Sequence, residues 1–478
     1  MIPLSLGAVA AAVGGTLAHA PDPDLTVTGP VVVDSREVCT GALFVAVAGE
    51  RVDGHDYAAA AVDAGAVGVL AARPVGVPAV VVEDVVAALG RLARHVVDDV
   101  DEVTVVGVTG STGKTTTKDL LAQVLARRGP TVAPAGSFNN EIGLPLTVLR
   151  ADRDTRHLVL EMGARGRGHI ADLCAVAPPR IGLVLNVGTA HVGEFGSREG
   201  VAAAKGELVE ALATDGVAVL NGDDPLVSAM VSRTSARVVR FGESPTCDVR
   251  AGDVALDGHG HARFTLHTPE GAAPVALRLV GAHQVANALA AAAVARACGL
   301  GADEIAEALG EATTRSPWRM EVTERHDGLV VVNDAYNANP ESMAAALKAL
   351  RSLAQGRRTW AVLGEMRELG DTADAEHDAL GRLVVRLDVA RLVAVGAGAA
   401  RIHTGARLEG SFGEESVYVP DVESAVALLR AQVGPSDVVL VKASRAVGLE
   451  RVAEALLAGD GTGRTPGEGA RGAAGVRP

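Results

Sequence analysis

The 478-residue sequence has few aromatic side chains, few cysteines and no long apolar run. Aromatic residues make up 2% of the chain and hydrophobic residues 48%, so we expect cores of Ala, Val and Leu in alternating strands and helices. No segment reaches the roughly 20 strongly apolar residues of a membrane helix. The widely spaced Cys39, Cys174, Cys247 and Cys298 match neither a disulfide framework nor zinc-ligand spacing. A reduced, cytoplasmic protein is the expectation.

Positive charge is also scarce. The formal net charge of -14 argues against a nucleic-acid surface, which needs clustered Lys and Arg. Of the 44 Lys and Arg residues, the only lysines are Lys114, Lys118, Lys205, Lys348 and Lys442. Because Arg serves wherever a generic cation suffices, a retained lysine indicates a need for a primary amine. For Lys118 and Lys348 we favour a solvated helix face.

The N-terminal stretch LGAVAAAVGGTLAHAP allows two interpretations. Its apolar run and its Ala-His-Ala imitate a signal cleavage site, although no Lys or Arg precedes them. Alternatively, Ser5 caps a short helix that ends at Gly14 and Gly15. We favour the helix.

The pattern along the chain predicts an α/β protein of three domains. Residues 1–100 alternate strand-like and Ala-rich runs, which predicts a small α/β domain. Residues 101–315 predict a central doubly wound parallel sheet with a phosphate loop, and 247–280 within it predict short antiparallel strands. Residues 316–458 predict a Rossmann-like α/β domain. Residues 459–478 lack periodicity and predict a disordered tail.

The strongest local motif is VTVVGVTGSTGKTTT, in which a strand passes through glycines into a helix. Gly110 and Gly113 would let backbone amides approach a phosphate at the helix N-terminus. Lys114 would neutralise phosphate oxygens, and Thr115 would bind magnesium. Val108 stands where the usual pattern has glycine, so the loop is a variant. The predicted ATP-binding loop comprises Thr109, Gly110, Ser111, Thr112, Gly113, Lys114, Thr115 and Thr116.

Two side chains follow strands that should neighbour this loop. Glu161 ends HLVLEM, and His191 follows IGLVLN, so both should lie at the carboxyl edge of the parallel sheet. A carboxylate and a neutral imidazole there could hold a second magnesium ion. By contrast, His259, His261 and His267 alternate in one segment, and an exposed hairpin is favoured over a metal site.

Many motifs occur in the order found in one known family. They include TGSTGKTTT, LEMGARGRGHI, NVGTAHVGEFGSREGVAAAKGEL, GAHQVANALAA, DAYNANPESM, LGEMRELG and LVKASRAVGLE, and they span nearly all of residues 103–452. With SFNNEIGLPLTVL and VDSREVCTGALFVAVAGERVDGHDY, the sequence resembles the ATP-dependent Mur ligases of bacterial cell-wall synthesis. Within that family, it is most similar to members that add D-alanyl-D-alanine.

The resemblance implies a role for each matching residue. It implies Thr115, Glu161, His191 and Lys205, the last carbamylated by carbon dioxide, as the support of two magnesium ions. It implies that Asn287 and Asn337 contact adenine, Asp334 the ribose and Arg319 the phosphates, and that the catalytic residues are Lys114, Glu161, His191, Lys205 and Arg319. It implies that residues 1–100 form the domain that binds the UDP-sugar, that Ser35, Arg36, Asn139 and Asn140 hold that substrate, and that Ser444 and Arg445 face the incoming amino component. Asn339 is expected to cap a helix that starts at Pro340.

The resemblance implies that the protein uses ATP to join a UDP-N-acetylmuramoyl-tripeptide to D-alanyl-D-alanine. We expect a monomer that binds no nucleic acid and does not insert into a membrane. The implied reaction stores ATP energy in an acyl phosphate before the amide forms. Gln284 and Ala443 depart from the family, which often has Asn and Gly there, and Ala443 is expected to narrow the acceptor site.

Three alternatives remain open. The chain could be a sister ligase for another amino acid, or a folylpolyglutamate synthase. It could be a nucleotide-dependent switch, although the guanine-reading N/T-K-x-D is missing. A pure binding protein is least favoured.

Overall fold

A computed structural model describes residues 1–20, 22–49, 52–188, 195–411 and 413–458. The strands of the described residues form four sheets, and the three larger ones follow one another along the chain. Among the described residues, no helix is both long enough and apolar enough to cross a membrane. All four cysteines are free, and only Cys39 is exposed.

The first hundred residues form two small sheets with helices packed against them. The elements are β1 (Leu4–Ser5), α1 (Leu6–Val13), β2 (Thr16–Ala18), β3 (Thr26–Val27), β4 (Val31–Val32), β5 (Leu43–Val45), α2 (Ala58–Asp63), β6 (Gly68–Ala71), β7 (Ala79–Val81) and α3 (Val85–Asp99). β1 pairs with β3, and the other strands lie in the order β2-β7-β6-β5-β4, parallel except for β2. The expected N-terminal helix is confirmed: Ser5 accepts from the Ala8 N–H, and Gly14 ends the helix in the left-handed conformation.

The middle of the chain forms a nine-stranded sheet. Its elements are β8 (Thr104–Thr109), α4 (Lys114–Leu125), β9 (Thr131–Val132), α5 (Gly143–Val148), β10 (His157–Glu161), α6 (His169–Val176), β11 (Ile181–Val184), α7 (Arg198–Lys205), α8 (Glu207–Glu210), β12 (Val217–Asn221), α9 (Pro225–Ser228), β13 (Arg237–Gly242), β14 (Val249–Leu256), β15 (His261–Thr268), β16 (Gly271–Val280), α10 (Gln284–Ala297) and α11 (Ala302–Glu311).

The strand order of this sheet is β16-β15-β14-β13-β12-β11-β8-β10-β9. β8 to β13 are parallel, whereas β14, β15 and β16 form an antiparallel meander that extends the same sheet. Both the doubly wound parallel sheet and the antiparallel strands at 247–280 are therefore confirmed. Separate apolar clusters cover the two faces. Nearly every residue of α10 is buried, which explains its run of alanines.

The last third forms a six-stranded sheet in the order β17-β18-β22-β19-β20-β21. Its elements are β17 (Glu321–Glu324), β18 (Val330–Asn333), α12 (Pro340–Ala354), β19 (Thr359–Leu363), α13 (Ala373–Arg386), β20 (Arg391–Val395), α14 (Ala400–Glu409), β21 (Ser416–Val419), α15 (Val422–Gln432), β22 (Val438–Lys442) and α16 (Glu450–Leu457). All pairs are parallel except β17 with β18, as in a Rossmann-like sheet. Asn339 caps α12 and Pro340 is its first residue, as predicted. The predicted tail, 459–478, lies outside the described residues.

Candidate active site

The phosphate loop lies between β8 and α4, at the carboxyl edge of the central sheet. Gly113 has φ of 80°, a left-handed conformation that glycine adopts without strain, and it delivers the chain into α4. Val108 is buried inside β8, so no glycine is needed at this point of the strand. Lys114 Nζ donates to the Gly110 carbonyl at 2.7 Å. Burial lowers the pKa of Lys114, while the attraction of Glu161 opposes that shift.

Asn186 immobilises the loop from the neighbouring strand. Its Oδ1 accepts from the backbone N–H groups of Ser111 at 3.0 Å and Thr112 at 2.9 Å, and its Nδ2 donates to the Thr112 carbonyl at 3.2 Å. Ser111 Oγ accepts in turn from the Gly188 N–H. β11 lies beside β8, which brings Asn186 to the loop. Asn186 was not predicted as part of the site, although its place at the end of a strand neighbouring the loop was an available signal.

Glu161 lies at the end of β10, with 1% of its surface exposed. Its Oε2 accepts from Thr115 Oγ1 at 2.9 Å. Its Oε1 accepts from Ser137 Oγ and Asn139 Nδ2, both at 2.8 Å. The carboxylate therefore joins the start of α4 to the segment that precedes α5. Ser137 was not predicted as part of this site.

Lys205 is the last residue of α7 and is buried. Ser197 caps the start of the helix, and its Oγ accepts from the Gly200 N–H. At its other end, the Arg233 guanidinium donates to the carbonyls of Ala202 and Ala203. Burial, and then repulsion by Lys114, hold the pKa of Lys205 well below its usual value. Within the described part of the chain, no acidic side chain forms an ion pair with Lys205.

Arg319 approaches the phosphate loop from the segment that connects the central and C-terminal sheets. Its Nη2 donates to Thr115 Oγ1 at 3.1 Å. Its guanidinium carbon lies 4.2 Å from the centre of the Tyr336 ring, a cation–π geometry. Its Nε is buried and has no hydrogen-bond partner among the described residues. This arrangement holds a positive charge beside the loop.

Asp334 follows β18 and is held by Lys442, at the end of the neighbouring strand β22. Lys442 Nζ donates to Asp334 Oδ2 at 2.7 Å and to the Asn337 carbonyl at 2.8 Å. Asp334 Oδ1 accepts from the Met320 N–H at 3.0 Å. Burial lowers the pKa of Lys442, and the Asp334 carboxylate opposes that shift. No role was predicted for Lys442 from the sequence.

Asn287 lies in α10 with its amide against Gly113 of the loop. It accepts from Thr117 Oγ1 at 3.3 Å and donates to Gln284 Oε1 at 2.8 Å. Gln284, which departs from the family's usual Asn, therefore orients Asn287.

One cavity of about 810 Å³ brings many of these residues together. Of the residues predicted from sequence, those that line it are Ser111, Thr112, Gly113, Lys114, Thr115, Thr116, Asn139, Asn140, Glu161, Lys205, Arg319, Asn337 and Arg445. Those that do not line it are Thr109, Gly110, Ser35, Arg36, Asn287, Asp334 and Ser444. His191 lies outside the described residues. Val33 of the N-terminal sheets also lines the cavity, so all three parts of the chain reach it.

Three of the predicted substrate contacts have partners within the protein. Arg36 is exposed and pairs with Asp34 at 2.6 Å, and this contact lowers the pKa of Asp34 to about 2. Ser444 Oγ accepts from the Arg367 N–H at 3.0 Å. The Arg445 guanidinium stacks on Trp318 at 4.1 Å and pairs with Glu450 at 2.6 Å.

Two expectations need correction. Lys118 is not on a solvated helix face: it is 1% exposed and donates to Asp119, Ser316 and the Pro134 carbonyl. Lys348 is exposed, as expected.

Ala443 does not narrow the cavity. Ala443 is fully buried, and its methyl group fills the core beneath the sheet. A Cβ added at Gly364 would lie 2.7 Å from that methyl group.

No group of three or more His, Cys, Asp or Glu side chains suited to a metal ion occurs among the described residues, which exclude His191. The histidines of β15 and its preceding turn therefore form no such cluster. Asp257 accepts from the N–H groups of His259 and His261 in the turn, as expected for a hairpin.

Comparison with protein families identifies the chain. Residues 30–96 match the Mur ligase family catalytic domain, 108–295 the Mur ligase middle domain, and 318–445 the Mur ligase glutamate ligase domain. The chain belongs to the Mur ligase family. The middle-domain match contains the phosphate loop, Glu161, Lys205 and Asn287, and the glutamate ligase match contains Arg319, Asp334 and Arg445.

Relatives and solved structures agree with this membership. The chain is 52% identical to a UDP-N-acetylmuramoyl-tripeptide--D-alanyl-D-alanine ligase of Mycobacterium bovis, over 97% of this chain and 99% of the relative. It is 35% identical to the Escherichia coli protein of the same name, over 95% and 99%. MurF from Acinetobacter baumannii superposes with a TM-score of 0.85 at 32% identity, over 95% of this chain and 99% of that one. MurF from Thermotoga maritima in complex with ADP superposes with a TM-score of 0.77 at 33% identity, over 90% and 98%.

Proposed function

We propose that this Mur ligase joins D-alanyl-D-alanine to a UDP-N-acetylmuramoyl-tripeptide, with hydrolysis of ATP to ADP and phosphate. The main support is the single cavity in which the phosphate loop, Glu161, Lys205 and Arg319 face one another. The names of its relatives supply the substrate pair.

The reaction requires activation of a carboxylate, because a carboxylate and an amine at neutral pH form a salt rather than an amide. In this scheme, the terminal carboxylate of the tripeptide attacks the γ-phosphorus of ATP in line, which releases ADP and leaves an acyl phosphate. The free amine of D-alanyl-D-alanine then attacks the acyl carbon. The tetrahedral intermediate loses inorganic phosphate, and the amide remains.

The tripeptide carboxylate and the triphosphate are both anions, so they repel each other as they approach. Positively charged side chains at the site would reduce that repulsion. Lys114 donates to the Gly110 carbonyl of the loop, and Arg319 donates to Thr115 from the connecting segment. Two positive groups there would offset the repulsion between the carboxylate and the triphosphate, and they would stabilise charge on the transferred group. Because Asn186 holds the Ser111 and Thr112 amides in place, the other backbone N–H groups of the loop would bind phosphate oxygens without further ordering.

The donor set around Thr115 fits magnesium. Thr115 Oγ1 and Glu161 Oε2 are hard oxygen atoms 2.9 Å apart at the end of the phosphate loop, and oxygen is the ligand that magnesium prefers. We propose that Thr115, Glu161, His191 and carbamylated Lys205 support up to two such ions. Bound magnesium would supply charge neutralisation to the phosphates.

Lys205 has the properties that carbamylation requires. Carbon dioxide reacts with a neutral amine, and burial beside Lys114 favours the neutral form of Lys205. Addition of carbon dioxide to the neutral amine forms an N–C bond and releases one proton, so a buried neutral amine becomes an anionic carbamate. That anion would lie close to the positive groups of the phosphate loop.

The remaining contacts are proposals of the same kind. Asn287, Asn337 and Asp334 would bind the nucleoside, whereas Asn139, Asn140, Ser35 and Arg36 would bind the sugar nucleotide. Ser444 and Arg445 would face the incoming dipeptide. Because both ATP and the nucleotide-linked precursor are cytoplasmic metabolites, we place the reaction in the cytoplasm, and we propose a monomer.

A substrate panel tests the proposal. The purified chain is incubated with ATP, magnesium and each UDP-muramyl precursor, paired with each amino acid or dipeptide, and ADP release is measured. We expect release only with a tripeptide precursor and D-alanyl-D-alanine together. ADP formed with a single amino acid, or with folate and glutamate, would identify a sister ligase instead. Transfer of ¹⁸O from the tripeptide carboxylate to inorganic phosphate tests the acyl phosphate, and its absence would refute that step.

A further inference from the structure

The segment that connects the central sheet to the C-terminal sheet, residues 313–320, is anchored by a lysine outside the cavity. Lys118 Nζ donates to Asp119 Oδ1 at 2.5 Å, to the Pro134 carbonyl at 2.7 Å and to Ser316 Oγ at 3.1 Å. Ser316 in turn donates to Asp119 from its N–H at 2.8 Å and from its Oγ at 3.1 Å. All three donor positions of the ammonium group are therefore used.

A second pair of contacts lies one turn further along α4. Gln123 Nε2 donates to the Thr313 carbonyl at 2.9 Å, and Gln123 Oε1 accepts from the Thr313 N–H at 3.1 Å. The start of the connecting segment is therefore fixed at two points to α4. Because α4 begins at Lys114, directly after the loop glycines, one helix joins this anchor to the end of the phosphate loop.

The other end of the segment is attached to the C-terminal sheet. The Met320 N–H donates to Asp334, and the buried Lys442 holds that carboxylate. Between the two anchors, Trp318 and Met320 have φ of 58° and 49°, left-handed values that are unfavourable for side chains other than glycine. Backbone in such a conformation persists only where surrounding contacts hold it. Arg319 lies between these two residues.

The buried ion pair is poorly explained by stability alone. The side chains of Lys118 and Asp119 are 1% and 6% exposed, and removing two charges from water offsets much of their attraction. Apolar side chains of similar volume would often serve stability as well. Apolar side chains, however, would form no hydrogen bonds to the backbone and hydroxyl of Ser316 and would not fix its position.

We propose that Lys118 is a positioning residue, which holds the connecting segment so that Arg319 meets Thr115 at the phosphate loop. It acts through Asp119 and Ser316 and does not touch substrate. The role of Arg319 in phosphate transfer rests on the proposed function. The attachment of the segment to α4 does not.

The first test is a double-mutant cycle on turnover of the full chain. Lys118→Met should lower kcat about 10- to 100-fold, because small misplacements of a catalytic charge have effects of that size. KM for ATP should change less than about threefold if the interaction strengthens mainly in the transition state. In an Arg319→Ala background, Lys118→Met should lower kcat less than about twofold, since both changes remove one function. Lys348→Met, an exposed lysine on α12, is the matched control and should leave kcat unchanged.

Ser316→Ala covers the case in which Lys118→Met does not fold, as judged by circular dichroism. It removes the hydroxyl bonds to Lys118 and Asp119 but keeps the backbone bond, so we expect a smaller loss of kcat that is likewise absent in the Arg319→Ala background. Losses that multiply with Arg319→Ala, or wild-type kcat in folded Lys118→Met or Ser316→Ala, would overturn the proposal.

A second readout separates this inference from the proposed function. The chain has two tryptophans, and only Trp318 is accessible, since Trp360 is 1% exposed. Acrylamide quenching therefore reports on the connecting segment without any acceptor substrate. We expect more quenching in Lys118→Met, or in Ser316→Ala where the former does not fold, and wild-type quenching in Lys348→Met. Unchanged quenching in the folded anchor variant would refute the anchoring, whereas failure of the wild-type chain to turn over the substrate pair would refute only the proposed function.

Discussion

Asn186→Ala gives the most direct test of how the phosphate loop is organised. The change removes three hydrogen bonds between the side chain and the backbone of Ser111 and Thr112, at 3.0, 2.9 and 3.2 Å. Each such bond contributes about 0.5–1.5 kcal/mol net. Water will replace part of that interaction, so we expect about 1.5–3 kcal/mol of loop ordering to be lost.

That free energy must come from nucleotide binding in the variant, because the loop has to be ordered around the phosphates. At a factor of ten for each 1.4 kcal/mol or so, affinity for ADP should fall about 10- to 100-fold. Isothermal titration calorimetry with ADP and magnesium measures it without any acceptor substrate. Only loop contacts change, so circular dichroism should show wild-type secondary structure.

Asn221→Ala is the matched control. Asn221 Nδ2 donates to the Leu185 carbonyl at 2.8 Å, at the same end of β11, but it makes no contact with the loop. It should bind ADP with nearly wild-type affinity. If Asn186→Ala binds ADP within twofold of the wild type, or if Asn221→Ala weakens binding as much, the loop does not depend on Asn186 as argued.

Two further perturbations test the site and the core. Lys205→Ala should abolish turnover, with partial recovery by short-chain carboxylic acids and none by bicarbonate. In the wild type, activity should rise with bicarbonate and fall as pH decreases, because the lowered pKa of Lys205 keeps the amine neutral and reactive only above that pKa. Bicarbonate independence at every pH would count against a carbamate. Gly364→Ala should destabilise the fold by about 1–3 kcal/mol, since its Cβ would lie 2.7 Å from that of Ala443. Adding Ala443→Gly should recover most of the loss in a urea melt, and a simple sum of the two effects would contradict this packing explanation.

The amino-acid sequence alone determined the local elements and their class. Periodic apolar runs predicted the parallel strands, and Ser5, Asn339 and Pro340 predicted helix starts that the structure confirms. The glycines and Lys114 of the phosphate loop could be predicted because the strand, the turn and the helix that form it are contiguous in sequence. Glu161 was predicted at the carboxyl edge for the same kind of reason, since strand ends of a parallel sheet share one edge.

Only the tertiary structure distinguished the lysines. Lys118 and Lys348 look alike in sequence, because each lies in a predicted helix. In the structure, Lys118 donates a hydrogen bond to Ser316, 198 residues away, whereas Lys348 is exposed to solvent. Lys442 meets Asp334 across 108 residues. A buried cation needs an acceptor brought from a distant part of the chain, and a local pattern carries no information about which distant segment packs there. The composition shows that lysine is rare in this protein, but only the packing of distant segments determines which partners each lysine contacts.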